Sequence, residues 1–406
     1  MSVITVFNGL FCEAGVVVKR VLDATGYRLV TDQEIVADAA RLSGMPEDKI
    51  ARAFQAGTSV FNKFSHEKER SVAWMRLAMA QKLLDADQLL FSGFASQLPP
   101  SKIGHLLRVC LIAELKDRLA LAEKEEGFAE KHAHKLIHKD DEDRAVWVRT
   151  LKGVDDPWKD DLYDMVVPVP KVGVQKAADL IAEQASNEAV KVSHTTRDAV
   201  EDFLLAARVE TVLASEGHNV DVSARNGKVR LTINKNVLML ERLERELTEI
   251  VSGVDGVRSV ETGVGKDFHQ TDIYRKVDFE VPSKVLLVDD EREFVQTLSE
   301  RLMLRDMGSA VVYDGESALN LVEDDEPEVM ILDLKMPGID GIEVLRRVKE
   351  TRPEIEVIIL TGHGSEEDRE VCMKLGAFAY LHKPVDIDVL SKTLKEANEK
   401  IRRAHG

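Results

Sequence analysis

The chain has 406 residues, 44% of them apolar, and a net charge of −17. That apolar share supports packed cores rather than disorder, and the length allows roughly two to four domains. The acidic balance excludes a broad nucleic-acid surface, which needs basic clusters to displace counterions, and no basic recognition helix is evident, so no DNA is expected. Cys12, Cys110 and Cys372 lie far apart, which fits a reducing compartment and offers no zinc site. The opening MSVITVFNGLF lacks a basic n-region and a small-residue cleavage site. No run approaches the roughly 20 apolar residues of a membrane span. These features point to a cytoplasmic protein.

Val3–Val6 reads as a short strand, followed by a loop and helix in NGLFCEAGVVVKRVLDATGY. A loop that cradles phosphate needs glycines for close backbone approach, plus a Lys and a hydroxyl. Gly9 and Gly15 are present, but Val16 and Val17 stand where the Lys and hydroxyl belong. Next come ATGYRLVTDQEIVADAARLSG, LLFSGFAS, LLRVCLIAELKDRLALAEKEEGFAEKHAHKLIHKDDEDRAVWVRTL and DLYDMVVPVPKVGVQKAADLI. With these segments, residues 1–190 resemble the cytidylate-kinase-like family of nucleoside monophosphate kinases. The resemblance implies a P-loop α/β domain with nucleotide contacts at Gly9, Gly15, Asp32, Arg108, Arg118 and Arg144. An arginine fork binds phosphate bidentately and keeps its charge. The same three arginines read equally well as surface or lid salt bridges.

The departures from that family are large. Phe11, Glu13 and Ala14 fall among the expected glycines, and Ser92-Gly93-Phe94 replaces Gly-Arg-Gly. Glu13 would set a negative charge beside a triphosphate. Phosphoryl transfer depends almost wholly on positioning and charge stabilisation, so the expectation is a catalytically inactive, pseudokinase-like module. Met75, Leu77, Met79, Leu83 and Leu84 are expected in a helix core. His134 and His138 read as a solvated helix face rather than metal ligands.

In the middle, RDAVEDFLLAARVETVLASEG is helical in pattern, and VDVSARNGKVRLTI alternates around Asn226-Gly227, a strong hairpin signal. A second helix over Leu240–Val251 leads through GVDGVRSVET to a third strand. This α-β-β-α-β order over residues 195–265 is similar to the BON domain, a small α+β unit, and a protein-contact or spacer role is expected. Residues 266–283 read as a polar linker.

From Lys284, five short apolar runs alternate with amphipathic stretches: Val285–Val288, Ala310–Tyr313, Val329–Leu332, Val357–Leu360 and Ala379–Leu381. This pattern predicts a parallel sheet covered on both faces, with sites at the carboxyl ends of its strands. Asp289, Asp290, Asp333, Thr361 and Lys383 would then meet at one edge. Clustered carboxylates suit an oxygen-loving cation such as Mg2+, a Lys can neutralise a phosphoryl group, and a carboxylate can accept one. On KVLLVDDE, ILDLKMPGIDG, LTG and YLHKP, residues 284–406 resemble the receiver domain of two-component response regulators. That implies a flavodoxin-like (βα)5 domain with strand order 2-1-3-4-5 and Asp333 as phosphoacceptor. It further implies Mg2+ on Asp289, Asp290, Asp333 and the Lys335 carbonyl, with Thr361 and Lys383 holding the phosphoryl group and Tyr380 as the aromatic switch. A cis bond at Lys383–Pro384 is expected, and Lys335 and His363 are placed to tune the lifetime of the phosphoryl group.

The sequence therefore reads as a multidomain α/β response regulator, phosphorylated by a histidine kinase and acting on its own N-terminal modules or on an output protein. A phosphorylation-gated nucleoside monophosphate kinase, with nucleotide as ligand, is the alternative. The chain alone leaves a homodimer open.

Overall fold

The computed structural model describes residues 2–86, 88–237, 239–266, 268 and 274–405. The chain divides into two compact units. One comprises Met1–Thr58, Glu67–Ser215 and Asn219–Tyr274; the other comprises Ser59–His66, Glu216–His218 and Arg275–Gly406.

The first unit contains strands β1 (Val3–Asn8), β2 (Arg28–Thr31), β3 (Leu89–Ser92), β4 (Leu106–Ile112) and β5 (Met165–Pro168). They form one parallel sheet in the order β2-β3-β1-β4-β5. Alternation along β1 explains why both faces are covered: Val3 and Phe7 enter a core with Ile35, Met75, Met79 and Trp147, while Ile4 and Val6 enter another with Val17, Val21 and Ile181. Met75, Leu77, Met79 and Leu83 are core residues, as the pattern of their helix predicts. Leu84 is not: it is 45% exposed, because the buried stripe of Glu67–Asp85 turns away from it.

The same unit holds β6 (Asp221–Arg225), β7 (Lys228–Ile233) and β8 (Ser259–Val264). β6 and β7 are antiparallel across Asn226 and Gly227, whose φ values of 50° and 80° are the left-handed pair a two-residue hairpin demands. β8 adds parallel to β7, and Leu243, Leu247 and Val251 of helix Leu240–Ser252 share the core of this sheet. Helix His194–Ser215 serves two cores at once. Val200, Phe203 and Leu204 join the core of the five-stranded sheet, while Val209 and Leu213 join that of the three-stranded one.

The second unit contains β9 (Val285–Val288), β10 (Ser309–Val312), β11 (Val329–Leu332), β12 (Glu356–Thr361) and β13 (Ala379–His382). All pair in parallel, in the order β10-β9-β11-β12-β13. Helices Arg292–Met303 and Ile387–His405 pack with one core, and Gly315–Asp325, Gly341–Thr351 and Glu366–Lys374 with the other. Segment Ser59–His66 completes the second of these cores: Phe61 is fully buried and belongs to the same core as Val288, Ala318 and Val322, and Val60 donates its backbone N–H to Asp325 at 3.1 Å. Phe64 lies 5.8 Å beneath the Arg275 guanidinium. Of the 266–283 stretch, residues 267 and 269–273 lie outside the described residues. Val277 and Val281 near its end are buried, so packing of the second unit begins before Lys284.

Candidate functional site

Parallel strands deliver their C-terminal residues to one edge. Asp289 follows β9, Asp333 follows β11, Thr361 ends β12, and Lys383 follows β13. Their backbones are tied into the sheet: Asp333 N–H donates to Val288 at 3.0 Å, and Lys383 N–H donates to the Thr361 carbonyl at 2.9 Å. Carboxylate oxygens of Asp289, Asp290 and Asp333 lie within 4.8 Å of one another, with Asp290 exposed and the other two buried. Gly341 belongs to this framework, because a Cβ there would sit 2.1 Å from the Asp333 carbonyl oxygen.

Lys383 supplies the counter-charge. Its Nζ lies 2.7 Å from Asp289, 2.8 Å from Glu291 and 3.5 Å from Asp333, and 4.5 Å from the centre of the Phe294 ring. Burial works against its charge, yet the bonds to Asp289 and Glu291 outweigh that and hold the ammonium above its ordinary pKa. Burial raises the Asp289 carboxyl, against the opposing pull of Lys383. Thr361 is fully buried, with its hydroxyl accepting from His363 N–H at 3.3 Å. Tyr380 stands on β13 with its ring 5.4 Å from His382, and its buried hydroxyl has no hydrogen-bond partner. Lys335 is exposed, two residues beyond Asp333, and the Lys383–Pro384 bond is cis.

The six residues singled out in the first unit separate into two sets. Gly9, Arg118 and Arg144 gather at the loop after β1. A Cβ on Gly9 would lie 3.4 Å from the Arg118 guanidinium carbon, and Gly15 opens helix Ala14–Thr25 beside that loop. Asp32 and Arg108 are committed to backbone groups, although the Arg144 charge still reaches Asp32. Asp32 accepts the N–H groups of Phe94 and Ala95 at 2.9 and 2.7 Å, capping the turn after β3, and burial raises its carboxyl. Arg108 donates to the carbonyls of Pro100, Ser101 and Ile103, fastening the loop before its own strand.

Sequence reasoning overlooked three participants. Glu291, the third partner of Lys383, directly follows the Asp pair and was open to reading in DDE. Asp140 and Asp141 lie in the run KDDED, where a charged helix face looks solvated; the structure instead pairs them with Arg144 and Arg118.

Comparison with known proteins finds relatives for two stretches of the chain. Residues 285–395 match the family model for the response regulator receiver domain, and residues 3–171 match that of the cytidylate kinase-like family. The transcriptional regulatory protein CpxR of Escherichia coli K12 is 39% identical over 123 residues, 30% of this chain and 51% of that protein. Response regulator MprA of Mycolicibacterium vanbaalenii is 33% identical over 110 residues, 27% of this chain and 48% of that protein. A solved receiver domain from Clostridium thermocellum is 33% identical, covering 30% of this chain and 98% of that structure, with a TM-score of 0.29. The chain spans about half the length of these two curated relatives. Among the described residues no helix is long and apolar enough to cross a membrane. Residues 285–395 are a response regulator receiver domain, carried in one chain with a segment that matches the cytidylate kinase-like family.

Proposed function

We propose that the chain is a cytoplasmic two-component response regulator in which Asp333 takes a phosphoryl group from a histidine kinase. The observation that carries this reading is the convergence of Asp289, Asp290 and Asp333 within 4.8 Å, with Lys383 reaching two of them. An all-oxygen donor set suits Mg2+, and the Lys335 carbonyl would complete it. Such an ion, when bound, would neutralise charge on an incoming phosphoryl group. The match to the receiver family makes Asp333 the acceptor, and its position fits that role: it follows the central strand β11 and lies 3.5 Å from the Lys383 ammonium. Lys383 and the Thr361 hydroxyl would hold the phosphoryl oxygens on the acceptor. Movement of Tyr380 would follow, since its hydroxyl makes no bond that holds it in place.

The output would be the first unit or a partner protein. The α-β-β-α-β module, read as BON-like, serves as a contact element in this proposal; its helix His194–Ser215 shares a core with the kinase-like sheet. A gated nucleotide kinase is the weaker reading, because Asp140 and Asp141 already engage Arg144 and Arg118.

The test is incubation of the full chain with Mg2+ and acetyl phosphate, read on a phosphate-affinity gel. A single retarded band that is lost in Asp333→Asn is expected. Absence of the band in the wild type, or its persistence in the variant, overturns the assignment. Hydrogen exchange that changes only within residues 284–406 on phosphorylation would contradict signalling to the first unit.

A further inference from the structure

The loop after β1 has the backbone of an anion cradle without the glycines that usually make one. Phe11 and Glu13 both lie in the left-handed region, with φ of 54° and 58°, and helix Ala14–Thr25 starts directly after them. A helix start with free N–H groups favours negative charge, and arginine forks beside it add to that preference.

Here the negative charge comes from the chain itself. Asp140 accepts from the Leu10 backbone N–H at 3.2 Å and from Arg144 Nε and Nη2 at 2.7 and 3.2 Å. Asp141 takes both terminal nitrogens of Arg118 at 2.8 Å each, while Arg118 Nε donates to the Leu10 carbonyl at 2.7 Å. The loop is thus held by two adjacent carboxylates of helix Glu130–Lys152, one on each guanidinium. Phe128, just before that helix, closes on Phe11 with ring centres 6.3 Å apart.

Arg144 shows that the fit is incomplete. It is only 6% exposed, its guanidinium carbon lies 4.5 Å from the Phe94 ring centre and 5.1 Å from that of Phe7, and its Nη1 is buried without a hydrogen-bond partner. A carboxylate offers two oxygens, whereas a phosphate offers three and would reach more donors at once.

We propose that Asp140 and Asp141 are an internal anion plug. They take the places of two phosphate groups at the Leu10–Glu13 loop and hold this unit closed without ligand, so a polyphosphate enters only when they are displaced. The lost glycines and missing lysine then belong to a loop that has exchanged an external anion for an internal one.

The test is calorimetric titration of the full chain with inorganic tripolyphosphate in EDTA, which keeps metal away from the receiver site. The wild type and Glu142→Gln, a charge control at an exposed position on the same helix, should show no millimolar-range binding. Asp140→Asn/Asp141→Asn should bind at least tenfold more tightly than either. Asp141→Asn alone leaves Asp140 on Leu10 and should gain less; it carries the test if the double variant does not fold. Equal affinities in wild type and the Asp variants, or tight binding by the wild type, would sink the plug.

Discussion

Lys383 Nζ lies 2.7 Å from an Asp289 oxygen, and the two side chains are 10% and 6% exposed. The ammonium thereby occupies the charge centre of the acidic edge. Removing one partner of a buried pair strands the other, so Lys383→Ala should cost the metal-free receiver about 3 kcal/mol. Millimolar Mg2+ should restore part of that loss and shift the urea midpoint of the variant more than that of the wild type. An unchanged midpoint in EDTA would show that the carboxylates do not depend on Lys383.

Phe61 is fully buried in the receiver-side core although it sits between helices of the kinase-like sequence. Phe61→Ala should destabilise the second unit by about 3–5 kcal/mol, the usual cost of emptying a buried aromatic site. Thermal unfolding of the full chain, with hydrogen exchange followed in β9 and β11, reads this directly. A loss confined to residues 67–85 would instead mean that the segment serves only its neighbours in sequence.

Two tyrosines should respond differently to the same substitution. The Tyr163 hydroxyl donates to the Pro157 carbonyl at 2.5 Å, whereas that of Tyr380 is buried with no partner. Tyr163→Phe should lose about 1 kcal/mol, and Tyr380→Phe should be neutral or gain a similar amount in the unphosphorylated protein. Chemical denaturation of both variants decides it, and a clear loss in Tyr380→Phe would reveal a bond that holds the ring.

Lys152 offers a pH test. Burial, with Arg108 and Arg76 nearby, pushes its ammonium down to about 8, and its Nζ donates to the Pro99 carbonyl at 2.9 Å. A folded pKa below that of the unfolded lysine means that the unfolded chain holds more protons between the two values. Stability of the first unit should therefore rise as pH increases from about 8 to 10.5, with a penalty on the order of 3 kcal/mol present below that window. Lys152→Met should remove this rise and stabilise the unit at pH 7, as measured by urea titrations at pH 7 and 10.

The receiver was legible because its signals are local. Short apolar runs such as Val285–Val288 and Val329–Leu332 are bounded by the acidic residues they deliver, so strand and site are written in the same few positions. Strand boundaries still moved by a residue: β10 begins at Ser309 rather than Ala310, and β12 runs through Thr361. What escaped was relational. Asp140 and Asp141 look solvated until Arg144 and Arg118 are seen beside them, and nothing around Phe61 shows that it belongs to the core of Val288 and Val322. Helix His194–Ser215 is apolar on two faces, and its sequence pattern does not say which sheet takes which face. Leu84 failed for a simpler reason, since one apolar residue beside a stripe need not lie on it.

The Val60–Asp325 bond joins residues 265 positions apart. During synthesis at some 5–20 residues per second, Phe61 leaves the ribosome roughly tens of seconds before the core that will hold it exists. Until then an aromatic side chain and its segment have no place to fold, and the nascent first unit carries an exposed apolar loop. A chain truncated before the C-terminal third would leave Phe61 permanently without the core that buries it.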